Sequence, residues 1–288
     1  MIEKKTILVT GANGQLGNEM RVVAAAYPGY NFLFVSRQEL AIDDIEATAR
    51  YFNANKINYC VNCAAYTAVD KAEAEYENAL LINATAVGNL AELCKTHNAL
   101  FIHVSTDYVF DGTATSPYTE THAVAPVNTY GATKLKGEEL AQQNNPASII
   151  IRTSWVYSSF GNNFVKTMLR LMKEKEQLNV VSDQQGCPTY AADLAAAIMQ
   201  IIDSQSVTQQ PGIYNYSNTG IISWYQFADA IKELSGSKCM VNPIPTTQFP
   251  TPAKRPAYSV MDTTKIQQTF EVAIPFWKDS LEKCLGLL

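Results

Sequence analysis

A doubly wound α/β fold, with a parallel sheet and a smaller α+β lobe at its C-terminal end, is what these 288 residues predict. Three observations carry the prediction. Short β-branched or aromatic runs alternate with longer helical patterns, the runs are apolar throughout, and a glycine-rich turn follows the first of them. Strands that are apolar on both faces and joined by helices form parallel sheets covered on both sides.

The elements follow in order. Thr6-Ile7-Leu8-Val9 reads as the first strand and Gln15 to Ala26 as a helix after the glycine turn. Asn31 to Val35 is the second strand, with a helix from about Asp43 to Asn53. Tyr59-Cys60-Val61-Asn62 is the third, followed by one long helix ending near His97. Leu100 to Val104 makes the fourth strand, ahead of Ser105 and Thr106, and Ser148 to Ile151 the fifth. Helices over 163–174, 191–202 and 224–234 then alternate with shorter strands and loops holding Pro243, Pro245, Pro250, Pro252 and Pro256. Such a segment suits a lobe over the carboxyl edge of the sheet, where open α/β sheets bind ligands.

Composition excludes several classes. At 47% hydrophobic and 17% charged residues, the chain matches an ordinary globular protein. No apolar run approaches the roughly 20 residues that cross a bilayer, and Met1-Ile2-Glu3-Lys4-Lys5 leads into a strand rather than a signal peptide. A cytoplasmic protein with no membrane partner is expected. The net charge of -5 argues against a nucleic-acid partner, because phosphate backbones are bound by basic faces. Six scattered cysteines read as reduced thiols, and Cys60-x-x-Cys63 lies in an apolar run without nearby histidine ligands, so no metal site is expected.

The turn Thr10-Gly11-Ala12-Asn13-Gly14-Gln15-Leu16-Gly17 sits between a strand and a helix. Glycines there let the backbone approach a pyrophosphate, and the free N–H groups at the helix start stabilise its charge. Gly11, Gly14 and Gly17 are therefore the glycines of an expected dinucleotide turn. The second strand ends in Ser36-Arg37 rather than an acidic residue. A cation at that point suits a 2'-phosphate, which favours NADPH with NADH possible; the alternative is a solvated surface arginine.

Asn128-Thr129-Tyr130-Gly131-Ala132-Thr133-Lys134 opens a helix in which Tyr130 and Lys134 share a face at i, i+4. A phenol titrates near pH 10, but an adjacent ammonium and an oxidised nicotinamide stabilise its anion. Tyr130 can then protonate a carbonyl oxygen as hydride reaches the carbon. Thr106, in Ser105-Thr106-Asp107-Tyr108-Val109-Phe110-Asp111-Gly112, is the expected carbonyl-orienting hydroxyl; capping of local backbone is the alternative. These positions divide the chain into a dinucleotide-binding domain, residues 1–177, and a substrate-binding lobe, 178–288, with some later segments returning to the main sheet.

Gly11 to Gly17, Asn62 to Glu73, Ser105 to Gly112, Tyr130 to Lys134, Arg152-Thr-Ser-Trp-Val-Tyr157, Gly161-Asn-Asn-Phe164 and Arg255-Pro-Ala-Tyr-Ser259 together resemble the dTDP-4-dehydrorhamnose reductase family of the extended short-chain dehydrogenase/reductases, whose sheet is Rossmann-like. The resemblance implies NAD(P)H-dependent reduction of a 4-keto dTDP-sugar to dTDP-L-rhamnose. It implies Tyr130 as proton donor, Lys134 on the nicotinamide ribose and Thr106 on the reacting oxygen. Asp107, Tyr108, Trp155, Asn163 and Arg255 would meet the sugar nucleotide, with an indole face on the sugar and Arg255 on phosphate. Gly14, Gln15 and Leu16 would contact the pyrophosphate, while Ala64, Ala65, Tyr66 and Thr67 would line the cofactor. Burial in the core is the competing role for Trp155, and a surface salt bridge for Arg255.

Leu40-Ala41-Ile42 departs from the family's Leu-Asp-Ile, so an adenine contact is either lost or supplied by Asp43, with Ile42 still expected at the cofactor. Ala192 stands where some relatives place a magnesium-binding glutamate, so a monomer or weak homodimer without metal is expected even though Glu19 is present. Two other readings stay open. One is a non-catalytic NADP-binding regulatory subunit, against which the intact Tyr130 and Lys134 count. The other is a sugar-nucleotide epimerase or dehydratase; dehydratases place an acidic pair beside the threonine, and here Tyr108 follows Asp107.

Overall fold

The computed structural model describes residues 3–204 and 207–288. Its first half runs β1 Lys5–Thr10, α1 Gln15–Val23, β2 Tyr30–Val35, α2 Ile45–Ala54, β3 Tyr59–Asn62, α3 Val69–Ala72, α4 Tyr76–Leu80, α5 Ala86–Thr96, β4 Leu100–Thr106, α6 Thr129–Asn144 and β5 Ile149–Thr153. The second half comprises β6 Val156–Tyr157, α7 Phe164–Glu174, β7 Gln177–Val181, β8 Gln185–Gly186, β9 Thr189–Tyr190, α8 Ala191–Asp203, β10 Gly212–Asn215, β11 Ile222–Ser223, α9 Trp224–Ser235, β12 Met240–Ile244, α10 Thr264–Phe270 and α11 Trp277–Leu285.

Six strands form one parallel sheet in the order β2-β1-β3-β4-β5-β10. The α/β, doubly wound prediction holds. Ile7, Val9, Val61, Ile102 and Ile151 bury on one face with Leu16 and Met20 of α1 and Leu194 and Ile198 of α8. Leu8, Cys60, Phe101 and Ile150 bury on the other against Val87, Leu90 and Ala91 of α5. This two-sided burial is why the strands lack the polar alternation of a half-exposed sheet. Both β10 and α8 return to this sheet from the second half of the chain. The remaining lobe packs Met168, Leu178, Phe227, Ile231 and Leu281 into a core of its own, with β7 and β12 paired in parallel.

The chain leaves β1 and β3 toward opposite sides of the sheet, so a crevice opens between their carboxyl ends. Side-chain caps begin the neighbouring helices. Asn128 Oδ1 accepts from Gly131 N–H at 2.8 Å to start α6, and Asn163 Oδ1 accepts from Lys166 N–H at 3.1 Å to start α7.

The structure departs from the expected elements chiefly at the carboxyl ends of β4 and β5 and after β3. The fourth strand continues through Ser105 and Thr106, because both pair with Arg152 and Thr153 of β5. The single long helix after β3 is instead the short α3 followed by α4 and α5, which are joined by a π-helical turn at Leu81–Thr85. Within that turn Asn83 bonds sideways: its Oδ1 accepts from Tyr66 N–H at 2.8 Å, while its Nδ2 donates to Tyr66 O at 3.1 Å and Thr133 Oγ1 at 3.2 Å. One extra residue in a turn leaves the apolar period almost unchanged, which hides it from sequence.

Candidate active site

The glycine turn lies in the crevice. Gly11 has φ of +64°, and a Cβ there would sit 2.6 Å from Ala64 N, so only glycine lets the loops after β1 and β3 meet. Gly14 N–H donates to Gly11 O at 2.9 Å, closing the turn. No side chain caps α1, so the first N–H groups of this nine-residue helix are directed at the crevice mouth without a side-chain acceptor. A cleft of about 320 Å³ there is lined by Gly11, Gly14, Arg37, Ile42, Ala64 and Ala65 together with Asn13, Gln38, Leu40, Asp43, Cys63 and Ile82. A tight cradle, open amides and a cation at one end fit a dinucleotide.

The other expected cofactor residues stand around this cleft rather than in its lining. Gln15 accepts from Asn163 Nδ2 at 2.9 Å, and Leu16 and Gly17 are buried behind the turn. The backbone of Tyr66 is held by Asn83 and its hydroxyl donates to Glu75 at 2.8 Å, while Thr67 is exposed. Arg37 is 67% exposed and lies 3.6 Å from Asp43 Oδ2, a loose pair that leaves the guanidinium at the cleft edge.

Next to the crevice, β4 delivers Thr106 and α6 delivers Tyr130 and Lys134. Thr106 takes up the capping alternative and also meets the Tyr130 phenol. Its Oγ1 accepts from Tyr108 N–H at 3.2 Å, capping the turn at Asp107–Val109, and a hydrogen bond with the Tyr130 phenol draws that pKa down. Tyr108 packs edge-on against Tyr130 at 5.6 Å. Burial nevertheless dominates and, with the Asp107 charge, pushes Tyr130 up to about 12. The expected lowering of the phenol by Lys134 is therefore not what this structure shows; Lys134 instead donates to Val104 O at 2.7 Å and lies 3.2 Å from His103 Nε2. Burial brings Lys134 down to about 8 against the opposing pull of Glu138.

Asp107 is 2% exposed. Its Oδ1 accepts from Thr106 Oγ1 at 3.0 Å, and its Oδ2 has no partner of hydrogen-bond geometry among the described residues. Burial raises its carboxyl to about 7 against the pull of the Ser259 and Thr106 hydroxyls. An orphaned acceptor at this point suits a hydroxyl-bearing ligand. Beneath it, Glu138 of α6 accepts from Ser105 Oγ at 2.5 Å and from Arg152 Nη2 at 2.6 Å, fixing the helix to β4 and β5.

Of the expected sugar-nucleotide residues, Arg255 alone lines a second cavity, and Trp155 stands beside it through Trp224. About 370 Å³ in volume, it is lined by apolar side chains including Phe164, Leu178, Val180, Trp224 and Phe249, with Arg255 among them. Arg255 is held by Asp70 through two bonds of 2.9 and 2.8 Å, so the salt-bridge alternative is realised while the residue still lines the cavity. Trp155 does not present both faces freely. It stacks on Trp224 with centroids 3.6 Å apart and carries a φ of +48°, an outlier for so bulky a residue. Every polar atom of the Asn163 side chain is engaged within the chain: Oδ1 caps α7, and Nδ2 serves Gln15 and Ser158 O. It ties the glycine turn to the lobe.

Trp224, His103, Asn62, Glu138 and Arg152 escaped sequence reasoning, because their partners lie on other elements. Glu19 is buried and accepts from Ser158 Oγ at 2.6 Å, and Ala192 packs on the lobe core. Among the described residues no group of three or more His, Cys, Asp or Glu could hold a metal ion, and all six cysteines are free thiols. No helix among those residues is long and apolar enough to cross a membrane.

Comparison with known proteins decides the family. The model of the RmlD substrate binding domain matches residues 5–288. The chain belongs to the RmlD family of dTDP-4-dehydrorhamnose reductases. A member from Aggregatibacter actinomycetemcomitans, named dTDP-4-dehydrorhamnose reductase, is 42% identical over 96% of this chain and 97% of its own. Two solved structures of the family superpose closely. That of a dTDP-4-dehydrorhamnose reductase from Clostridium acetobutylicum has a TM-score of 0.93 at 42% identity, covering 98% of this chain and 99% of the other. That from Bacillus anthracis, in complex with NADP, has a TM-score of 0.94 at 37% identity, covering 99% of this chain and all of the other.

Proposed function

We propose that this chain reduces the 4-keto group of dTDP-4-dehydro-6-deoxy-L-mannose to dTDP-L-rhamnose, with NADPH as the preferred reductant and NADH as a possible one. It acts in the cytoplasm as a monomer or weak homodimer in dTDP-rhamnose biosynthesis. The observation that carries the reading is the convergence of Thr106, Tyr130 and Lys134 beside the Gly11 cradle, with an apolar cavity next to it. NADPH, when bound, supplies hydride to the keto carbon.

The protein's own groups do the rest. Thr106 orients the keto oxygen, and Tyr130 gives its phenolic proton as charge gathers there. A phenol held as an acid by burial is protonated at neutral pH, which is the form a reduction needs. Lys134 offers its remaining donor to the nicotinamide ribose, while Asp107 Oδ2 is placed to accept from a sugar hydroxyl. The apolar cavity takes the thymine, with Arg255 supplying positive charge for the diphosphate.

Turnover of the 4-keto sugar nucleotide, followed as loss of NADPH, tests the proposal. Tyr130→Phe should lower kcat by about 10²–10⁴-fold and leave NADPH affinity unchanged. A correctly folded wild-type chain inert toward that substrate would overturn the function, and undiminished turnover in Tyr130→Phe would overturn the role of the phenol.

A further inference from the structure

A line of four buried side chains crosses the sheet beneath the proposed catalytic helix, and the reduction described above uses only its last member. Thr10, Asn62 and His103 stand side by side in the registers of β1, β3 and β4. Thr10 Oγ1 donates to Asn62 Oδ1 at 2.6 Å, Asn62 Nδ2 lies 3.1 Å from His103 Nδ1, and His103 Nε2 lies 3.2 Å from Lys134 Nζ. None of the four is more than 1% exposed, so water does not complete their bonding.

The direction of this line follows from one backbone group. Ala64 N–H can only donate, and it reaches Asn62 Oδ1 at 3.3 Å. The carboxamide oxygen therefore faces Ala64 and Thr10, and its amino group faces His103. His103 Nδ1 must accept, which puts the single proton of the neutral ring on Nε2, aimed at Lys134. A neutral amine can accept that N–H through its lone pair, whereas an ammonium cannot. We infer that the Thr10–Asn62–His103 line destabilises the ammonium of Lys134 relative to its amine, making His103 a positioning residue that readies the protonated lysine to give a proton to the Tyr130 phenolate. This rests on the reductase reading for its purpose and on hydrogen-bond direction for its existence.

The surroundings agree. Glu138 faces Lys134 from one turn along α6 and favours the ammonium, but its carboxylate is shared with Arg152 of β5 and Ser105 of β4. Burial and the Lys134 charge hold His103 well below the usual imidazole range, so the ring stays neutral and the line keeps its direction. After Tyr130 has protonated the product alkoxide, a proton of the Lys134 ammonium moves to the phenolate, leaving a neutral amine and a phenol. The lone pair left on Nζ accepts from His103 Nε2–H, and solvent then restores the proton to Nζ. A lysine poised near neutrality does this more readily than an ordinary one.

Histidine-selective ¹⁵N labelling tests the inference on the intact chain, which has only three histidines to assign. Long-range ¹H–¹⁵N spectra should show His103 neutral with its proton on Nε2, and that resonance should move with a midpoint near 8 as Lys134 titrates. The movement should vanish in Lys134→Met. A proton on Nδ1, or titration of His103 as a free imidazole, would overturn the inference whatever the turnover assay gives. In His103→Gln the amide oxygen can accept from the ammonium, so the basic limb of kcat/KM should move up by about one pH unit or more. A uniform fall in kcat at an unmoved limb would mean a merely structural role and would overturn it as well.

Discussion

Replacing Arg152 by methionine should expose how tightly the proposed catalytic helix is fastened. The guanidinium meets Glu138 through Nη2 at 2.6 Å and Nε at 3.0 Å, and both side chains are 2% exposed. It also lies 5.1 Å from the Phe110 ring. Removing the cation leaves a carboxylate without its counter-charge in a dry site, where breaking one partner of a buried pair costs about 3–5 kcal/mol. In a chain of this size that is a melting-temperature loss on the order of 10 °C. The double variant Arg152→Met/Glu138→Leu removes both charges and should recover most of the loss. It should still fall short of wild type by about 1–2 kcal/mol, from the Ser105 hydroxyl deprived of its acceptor. Calorimetric melting and urea titration of the three variants, Glu138→Leu included, close the cycle. A cost below about 1 kcal/mol for Arg152→Met would mean that the pair behaves like a solvated one. A double variant as unstable as the sum of the singles would show that lost packing, not stranded charge, is responsible.

Two further outcomes are expected. Asp107 titrates near 7 in the folded chain against 3.8 for the free carboxyl, so between those values the unfolded chain holds fewer protons and stability falls as pH rises, levelling off above 7. Asp107→Asn should therefore raise the melting temperature at pH 8 and not at pH 4, while losing activity; an equal difference at both pH values would refute the assignment. A Cβ at Gly186 would lie 2.6 Å from Trp155 Cε2, and Trp224 closes the other route of retreat. Gly186→Ala should raise KM for the sugar nucleotide by about tenfold with little change for NADPH, and unchanged steady-state constants for both substrates would contradict this.

What could be read from sequence was local. The spacing of Tyr130 and Lys134 on one helix, the glycine turn between a strand and a helix, and the apolar runs of the sheet all depend on neighbours within a few residues. What could not be read depends on strand order. His103 reaches Lys134 only because β4 lies under α6, and Asn62 reaches His103 only because β3 is the neighbour of β4. Trp155 is visible in the sequence as an aromatic after β5, but its stacking on Trp224 requires α9 to begin beside it. The burial that raises the Tyr130 phenol is hidden for a related reason: the i, i+4 rule supplies a nearby charge but says nothing of how deeply the phenol lies.

The sideways bonds of Asn83 give the π-helical turn a metrological role. One carboxamide grips both backbone atoms of Tyr66, which follows β3, and the hydroxyl of Thr133, which sits between Tyr130 and Lys134. The loop expected to line the cofactor and the helix that carries the proposed proton donor are thus gauged from the same fixed mark. Bonded to one carboxamide, the two are coupled, so the expected hydride donor and the proposed proton source keep their separation without either being rigid in itself. Deleting a single residue from Leu81–Thr85 would restore a regular helix and erase that mark, making the helix more ideal and the site less accurate.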